Sequence, residues 1–256
     1  ATVDHPSTSA LSATSGTFTG NIIIPNSGNI GSVGDTDAVT ITSAGLVGLN
    51  NTSPSSALAV NANLNDQWAG RFENTNSGGY GVLSRTTAST TSDIAFRVDK
   101  NGSETALNVD GAGHVTMPYQ PAFRVSPSST QSNIPINATT TVAFGTERFD
   151  QNGDFASNTF TAPVTGKYQL SFALYLNETD TAAILQGQIV TSNSSEYYDV
   201  VDLGMFDADG QYGLNVSALA DMDANDTAYV TVYLSNAGAA QMDINTVSHF
   251  SGFLAC

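Results

Sequence analysis

Acidic side chains in the C-terminal third of the chain could hold a divalent cation. Asp221, Asp223 and Asp226 lie in one predicted turn, directly before an alternating apolar run. Their carboxylate oxygens are hard ligands of the kind that Ca²⁺ takes in proteins. The turn is therefore a candidate calcium site, and Asp207 and Asp209, beside a glycine, are the second candidate.

Two adjacent tyrosines could contact a ligand on a cell surface. Tyr197 and Tyr198 follow a Ser-Ser-Glu segment in a predicted loop, and exposed aromatic rings can stack on sugars or bury against proteins. Together with Asp207 and Asp209 they are the predicted receptor-binding residues. The alternative is a strand in which one tyrosine points inward and the other outward.

The sequence carries no recognisable catalytic pattern. His5, His114 and His249 are far apart and have no paired metal-ligand spacing. The run from Asp150 to Asp154 imitates the start of a calcium loop, but its glycine comes two places too early, so a turn is favoured. Neither a Gly-x-Ser-x-Gly elbow nor a phosphate-binding loop is present. We therefore predict that the protein is not an enzyme.

Composition argues against two kinds of partner. Seven Lys or Arg residues against 23 Asp or Glu residues give a net charge of -16, so nucleic-acid binding is not expected. The sequence has no run of eighteen apolar residues, so membrane insertion is not expected either. The acidic excess indicates a surface that stays soluble in salt or, alternatively, cation binding near a symmetry axis. Because the first residue is not Met, we expect either a processed chain or the end of a longer one.

Alternating patterns predict β-strands. Tyr168, Leu170, Phe172 and Leu174 alternate with polar or small residues, as in a strand with one buried face. A second run alternates in the same way, with Ala228, Val230, Val232 and Leu234 on one face. Before residue 120, short apolar runs between turn residues predict strands at residues 21–24, 38–42, 46–49, 57–60, 81–85, 94–99, 106–109 and 114–117. The predicted fold class is all-β.

Aromatic and turn residues in the second half follow a known pattern. Phe144 is followed by Asp150, Phe155, Phe160, Gly166, Tyr168, Leu170 and Phe172, and the chain closes with Phe250-Ser251-Gly252-Phe253-Leu254. Over residues 118–256 this resembles the globular head of complement component 1q, a jelly roll of the tumour-necrosis-factor-like type. Two departures are the short interval from Phe155 to Phe160 and Leu170 in place of an aromatic residue.

This resemblance implies a β-sandwich head that assembles as a threefold-symmetric trimer, with the last strand in the core of each subunit. Heads of this family often hold calcium near their apex through an acidic residue at the position of Asp226. The resemblance therefore implies Ca²⁺ there, with oxygen ligands from three subunits gathered on the axis. Calcium is the single cofactor predicted.

The N-terminal half contains a repeated unit. Val39, Ile41, Gly45 and Val47 recur at identical offsets as Leu107, Val109, Gly113 and Val115, which indicates strand, glycine turn, strand. Unrelated hairpins could also produce this pattern. Residues 45–54 with 58–60, residues 28–38 and residues 69–81 are moreover similar to shaft segments of bacteriophage tail fibres.

Strands this short bury too little apolar area within one chain to offset the entropy lost on ordering. We therefore predict a homotrimer from about residue 17 onward. The predicted trimer core is Ile22, Ile24, Val39, Ile41, Val47 and Leu49. The predicted divisions are residues 1–16 (a linker or the end of a longer N-terminal part), 17–60 (β-rich shaft), 61–117 (second shaft or knob segment) and 118–256 (jelly-roll head).

The leading hypothesis is the distal, structural part of a bacteriophage tail fibre, located in the virion and attached to other tail proteins. Its trimeric head is predicted to bind a glycan or protein on the host cell. One alternative is a tailspike enzyme that degrades surface polysaccharide, which would need paired carboxylates in a groove. Another is a secreted head-domain adhesin, against which the lack of collagen-like Gly-x-y repeats argues.

Overall fold

The computed structural model describes residues 29–32, 35–62, 68–78, 80–102, 104–179, 182–194, 197–203, 210–236 and 241–256. Regular structure in these ranges is almost entirely β-strand, which confirms the all-β fold class. None of these residues belongs to a helix long and apolar enough to cross a membrane. Contacts divide the chain into two compact units, Ala1–Leu83 and Ser84–Cys256. Ile22, Ile24 and the strand predicted at 21–24 lie outside the described residues.

The first unit contains a four-stranded sheet. Its strands are β1 (Asn29–Ser32), β2 (Asp35–Ile41), β3 (Val47–Leu49) and β4 (Leu58–Val60), in that order. β1, β2 and β3 are antiparallel neighbours, whereas β4 runs parallel to β3. Strands are therefore present where residues 38–42, 46–49 and 57–60 predicted them.

The second unit begins with a three-stranded meander. β5 (Ile94–Lys100), β6 (Glu104–Asp110) and β7 (Val115–Thr116) are consecutive antiparallel neighbours, as residues 94–117 predicted. The strand predicted at residues 81–85 is wrong, because those residues lie in no strand. An apolar run needs a neighbouring strand to pack and pair with, and here Val82 is 71% exposed and Leu83 81%.

One hairpin in each of these sheets has the same register. β2 and β3 place Ile41 opposite Val47, and β6 and β7 place Val109 opposite Val115. Residues in directly opposite positions share a face of the sheet. The strand, glycine turn and strand that the sequence repeat indicated are thus present at both places.

The turns of the two hairpins also match. Gly45 and Gly113 have φ of 79° and 90°, in the left-handed region that favours glycine. Each glycine N–H donates to the backbone carbonyl three residues earlier, Thr42 at 2.9 Å and Asp110 at 3.1 Å. A side-chain oxygen of that same residue accepts the N–H four residues on, at 3.0 Å for Thr42 and 2.9 Å for Asp110.

The rest of the second unit is a two-sheet sandwich, the head. Its strands are β8 (Ala122–Ser126), β9 (Gln131–Ile134), β10 (Thr140–Thr141), β11 (Thr146–Gln151), β12 (Phe155–Ala156), β13 (Thr159–Thr161), β14 (Gly166–Asn177), β15 (Ala182–Thr191), β16 (Tyr197–Asp202), β17 (Gln211–Met222), β18 (Thr227–Asn236), β19 (Met242–Ile244) and β20 (His249–Leu254). The front sheet has the order β11-β8-β20-β14-β19-β9, with β17 also paired to β14. The back sheet has the order β12-β13-β18-β15-β16, with β10 paired to β18.

The head core lies between these two sheets. The two alternating runs predicted to have one buried face do so: Tyr168, Leu170, Phe172 and Leu174 on β14, and Ala228, Val230, Val232 and Leu234 on β18, are at most 2% exposed. The closing strand β20 lies between β8 and β14, with Phe250 fully buried. This agrees with a last strand in the core of the subunit.

Aromatic rings from several strands form one cluster in that core. The Phe123 ring stacks on Phe155 at 5.2 Å and on Phe160 at 4.7 Å between centroids, and Phe250 meets it edge-on at 5.0 Å. The short interval in the sequence pattern is a tight hairpin, in which Phe155 lies opposite Phe160. Leu170, in place of an aromatic residue, is fully buried, so an aliphatic side chain fills that position.

Candidate functional site

Asp226 closes the turn between β17 and β18. Its carboxylate accepts hydrogen bonds from the Ser192 hydroxyl and the Asp223 N–H, both at 2.7 Å, and from the Asn193 amide at 2.5 Å. The Ser192 hydrogen bond is the main cause that lowers the pKa of Asp226, followed by the Asp223 N–H and then Asn193. Ser192 and Asn193 of the segment that joins β15 and β16, together with the Asp223 N–H, therefore favour the ionised form of Asp226.

The three aspartates of the predicted calcium turn do not all lie in that turn. Asp221 lies on β17, not in the turn as predicted, because its pairing with Lys167 extends the strand to Met222. The Lys167 ammonium is 2.5 Å from the Asp221 carboxylate. Among the described residues of this single chain, no three acidic, His or Cys side chains form a group that could hold a metal ion. Calcium binding therefore stays a prediction, which depends on ligands from other subunits.

The predicted receptor-binding tyrosines lie on a strand. Tyr197 and Tyr198 begin β16, opposite Ile189 and Gln188 of β15, so the predicted loop is wrong and the strand alternative is correct. Tyr197 packs against the head core, whereas Tyr198 is 56% exposed. Backbone pairing with β15 imposes this alternation. Asp207 and Asp209 lie outside the described residues.

The acidic run at residues 150–154 begins at the end of β11 and forms the turn into β12, so the predicted turn is present. The Asp150 carboxylate accepts the N–H groups of Asp154 at 3.1 Å and Phe155 at 3.0 Å. Asn152 and Gly153 between them have φ of 81° and 76°. One carboxylate oxygen of Asp154 is buried without a hydrogen-bond partner, and burial, followed by repulsion from Asp150, raises its pKa.

The outer face of the front sheet has apolar side chains around a small-residue centre. Ser171 and Ser251 lie opposite each other on β14 and β20, with hydroxyl oxygens 3.1 Å apart. Around them Phe149, Phe253 and Leu219 are 52%, 50% and 57% exposed. Part of this face is a depression of about 440 Å³. The arrangement suits contact with another protein surface, because exposed apolar side chains surround a centre of small polar residues, beside which Arg124 lies opposite Ser251.

The outer face of the back sheet holds a polar depression that the sequence interpretation did not assign to a function. It has a volume of about 160 Å³ and is lined by Thr139, Gln186, Gln188, Thr231 and Tyr233. The signal was present in the alternation of β15 and β18, whose outward positions at the depression carry two amides on β15 and Thr and Tyr side chains on β18.

Comparison with known proteins concerns the head. The family model of the C1q domain matches residues 122–255. The globular domain of zebrafish complement 1qA protein is similar at 21% identity, covering 54% of this chain and 98% of that chain, with a TM-score of 0.39. A crystal structure of murine APRIL at pH 5.0 is similar at 12% identity, covering 53% of this chain and 98% of that chain, with a TM-score of 0.40. No curated protein matches the chain.

Proposed function

Because the chain belongs to the C1q domain family, which the family model shows over more than half of its length, we propose that it is the distal part of a homotrimeric bacteriophage tail fibre whose head binds the host cell surface. C1q domains generally form trimers, bind other molecules and are not enzymes. The proposal adds the virion, the fibre and the host receptor to that general role. A structural and adhesive protein, not a tailspike enzyme, is the function we infer.

The observation that carries the trimer is the uncovered apolar face of the meander β5–β7. Phe96 lies opposite Val109, which lies opposite Val115 on the other side, so these side chains share one face. Val98 lies on that face too, opposite Leu107. Phe96 is 46% exposed, Val98 44% and Val115 59%. Three copies around one axis would cover this face, which a single chain leaves in contact with water.

The sheet of the first unit supports the same interpretation. Val39 lies opposite Ile30 on one side and Leu49 on the other, and Ile41 lies opposite Val47. Val39, Ile41 and Val47 are half-buried, whereas Leu49 is 37% exposed and Ile30 50%. The described part of the predicted trimer core therefore forms one apolar face that its own chain covers incompletely.

The front sheet supplies a corresponding surface on the head. Its serine centre would let a neighbouring subunit approach closely, and the exposed Phe149, Phe253 and Leu219 would supply apolar area for the contact. The fibre itself is supported by the two matching hairpins and by the shaft-like motifs of the sequence. Host attachment follows from the trimer, because three linked heads raise the effective concentration of weak contacts.

Two measurements test this proposal. Light scattering on the full chain at micromolar concentration should give three times the mass of one chain, which is 26.5 kDa. The labelled trimer should also bind intact cells of at least one strain in a bacterial panel and compete there with phage adsorption. A single-chain mass would overturn the trimer, and a trimer that binds no bacterial cell and blocks no adsorption would overturn the attachment role.

Calcium is a separate part of the proposal. We expect one ion per trimer near the turns that contain Asp226. The three Asp226 carboxylates, one from each subunit, have a lowered pKa and would repel one another without a cation between them. Calorimetry with CaCl₂ should detect its uptake, and chelation should lower the thermal stability of the trimer. If neither changes, the head assembles without calcium, while the attachment role is unaffected.

A further inference from the structure

We propose that the outer face of the back sheet binds a neutral saccharide in the polar depression formed by Thr139, Gln186, Gln188, Thr231 and Tyr233. The saccharide would be the ligand that the head binds during host attachment, so the biological role of the site rests on the proposed function. The binding itself can be measured without reference to any virus or host.

Strand register places the polar groups of the depression side by side. Gln188 lies opposite Thr231, and Gln186 lies opposite Tyr233, on the adjacent strands β15 and β18. Val232, between Thr231 and Tyr233, and Ile189, next to Gln188, point the other way into the core and are buried. Two amides, a hydroxyl and a phenol ring therefore project outward from a rigid pair of strands.

The floor and rim of the depression differ in exposure. Thr231 is only 5% exposed and forms part of the floor, next to Thr141 of β10. Gln186, Gln188 and Tyr233 are half-buried, so each presents part of its side chain to a ligand. Side chains held in this way lose little entropy when a ligand binds.

The chemistry of the lining selects an uncharged polyhydroxy compound. Side-chain amides and hydroxyls each offer hydrogen-bond donors and acceptors. Sugar hydroxyls also donate and accept hydrogen bonds, so the two sets of groups are complementary. The ring of Tyr233 adds an apolar surface for the C–H face of a sugar. No charged side chain is among the five lining residues, and the net charge of -16 disfavours anionic ligands.

The polar row continues beyond the depression. Tyr198 on β16 lies opposite Gln188, so Tyr198, Gln188, Thr231 and Thr141 form one line across four strands. Neighbouring strands lie about 4.8 Å apart, which makes this line roughly 15 Å long. A line of that length fits a short oligosaccharide better than a single sugar, and it includes the exposed one of the two predicted receptor-binding tyrosines.

The location leaves the site open in the proposed trimer. The two outer faces of a sandwich point in opposite directions, so subunit contacts through the front sheet would leave the back sheet facing solvent. Each trimer would present three equivalent sites, and weak binding at each would combine on a surface that carries many copies of the same glycan.

The test uses the full chain and an array of neutral hexose and N-acetylhexosamine oligosaccharides, followed by calorimetry with the best ligand. We expect wild-type binding, a loss of about tenfold in affinity for Gln188→Ala and for Tyr233→Ala, and a smaller loss for Tyr233→Phe, which keeps the ring. Tyr229→Ala is the matched control, because Tyr229 lies on the same face of β18 outside the depression. Its affinity should stay within about twofold of wild type.

Thermal unfolding of each variant separates loss of the site from loss of the fold. The site is overturned if no neutral oligosaccharide binds, or if a folded Tyr233→Ala variant binds as well as wild type or no worse than Tyr229→Ala. Cell binding is measured in parallel. If cells bind wild type and Tyr233→Ala equally, the attachment role stands and the use of this site in attachment is overturned. If saccharide binding needs Tyr233 but no cells are bound, the site stands and the attachment role falls.

Discussion

The head and the meander β5–β7 use the same alternation of apolar residues with opposite results. In the head, Leu170 and Val230 face each other's sheet across the core and are completely buried. In the meander, Phe96 and Val98 are 46% and 44% exposed. The difference lies in the number of layers, because the head contains two sheets within one chain. A single small sheet has one apolar face and needs a second layer from elsewhere.

The two regions of this chain therefore differ in whether one chain alone can bury their apolar residues. The head can satisfy its hydrophobic pattern alone, whereas the meander and the sheet of the first unit cannot. Full burial of one large apolar side chain is worth about 1.5–3 kcal/mol. Exposed faces of this kind are therefore a strong drive for association, and the following predictions test how different the two regions are.

The largest effect should come from the aromatic cluster of the head. Phe123→Ala removes a ring that stacks on Phe155 and Phe160, and we expect a loss of about 3–5 kcal/mol in the free energy of unfolding. Phe72→Ala is the matched control, because Phe72 is 77% exposed, and it should change stability by less than about 0.5 kcal/mol. Urea denaturation measures both. Equal losses for the two variants would refute a core confined to the head.

The next effect concerns the meander. Phe96→Asp places a charge on its apolar face, and backbone amides of β5–β7 should lose about tenfold or more of their protection from hydrogen exchange, as expected for about 1.5–3 kcal/mol. Protection in the head should be unchanged. Leu83→Asp, an exposed position outside the strands, is the control and should leave β5–β7 protected. If Phe96→Asp has no effect on exchange, the meander does not depend on a second layer.

A smaller loss is expected from a single methyl group in the head. A Cβ atom at Gly252 would lie 2.6 Å from a methyl carbon of Leu170 and 2.8 Å from the Phe123 ring. Gly252→Ala should therefore cost about 1–3 kcal/mol through overpacking, visible as a lower denaturation midpoint. Gly81→Ala is the control, because a Cβ there would meet no atom within 4 Å. A neutral Gly252→Ala would mean that the sheet core is loosely packed.

The smallest effect concerns one carboxyl group in each region. The contributions of these two groups to the free energy of unfolding should change with pH in opposite directions. In the head, burial followed by Asp150 raises the pKa of Asp154 above 3.8. The folded state then binds the proton more tightly than the unfolded state. This contribution to stability is present below pH 3.8 and is lost as pH rises through the raised pKa.

In the meander the sign is reversed. The side-chain hydrogen bond with His114 is the main cause that lowers the pKa of Asp110 below 3.8, with 2.9 Å between the His114 Nδ1 and the carboxylate. Its contribution is present above pH 3.8 and is lost as pH falls through the lowered pKa. Relative to wild type, Asp154→Asn should gain stability as pH rises through the acid range, and Asp110→Asn should lose it. Denaturation of both variants from pH 2.5 to 7 checks this, and parallel curves would contradict it.

Local patterns in the sequence predicted the head well because burial there is decided within one chain. The period-two runs of β14 and β18 have one buried face by necessity, and the aromatic spacing from Phe144 to Phe250 corresponds to a contiguous cluster. The Ser and Glu residues that precede Tyr197 and Tyr198 favour a loop in the sequence. Pairing with β15, which sequence spacing does not specify, instead makes the two tyrosines the start of a strand.

The candidate site was less predictable because its parts come from separate segments. The Asp226 carboxylate accepts hydrogen bonds from Ser192 and Asn193, which lie in another loop. No local sequence pattern predicts that contact. The polar depression combines residues from β15 and β18 with Thr139, which precedes the short strand β10. The alternation of Tyr and Thr on β18 predicts one face of a strand. Only the register of β18 with Gln186 and Gln188 of β15 shows that these side chains line one pocket.

The central position of β20 affects the order in which the head can be made. A ribosome delivers β8 and β14 first, and the gap between them stays open until β20 emerges, on the order of ten seconds after β8 at typical synthesis rates. Until then the edges of β8 and β14 are unpaired templates for other strands. Nascent heads therefore pass through an interval in which neighbouring copies on one messenger RNA could exchange strands, and the pairing of β20 with β8 and β14 ends that interval.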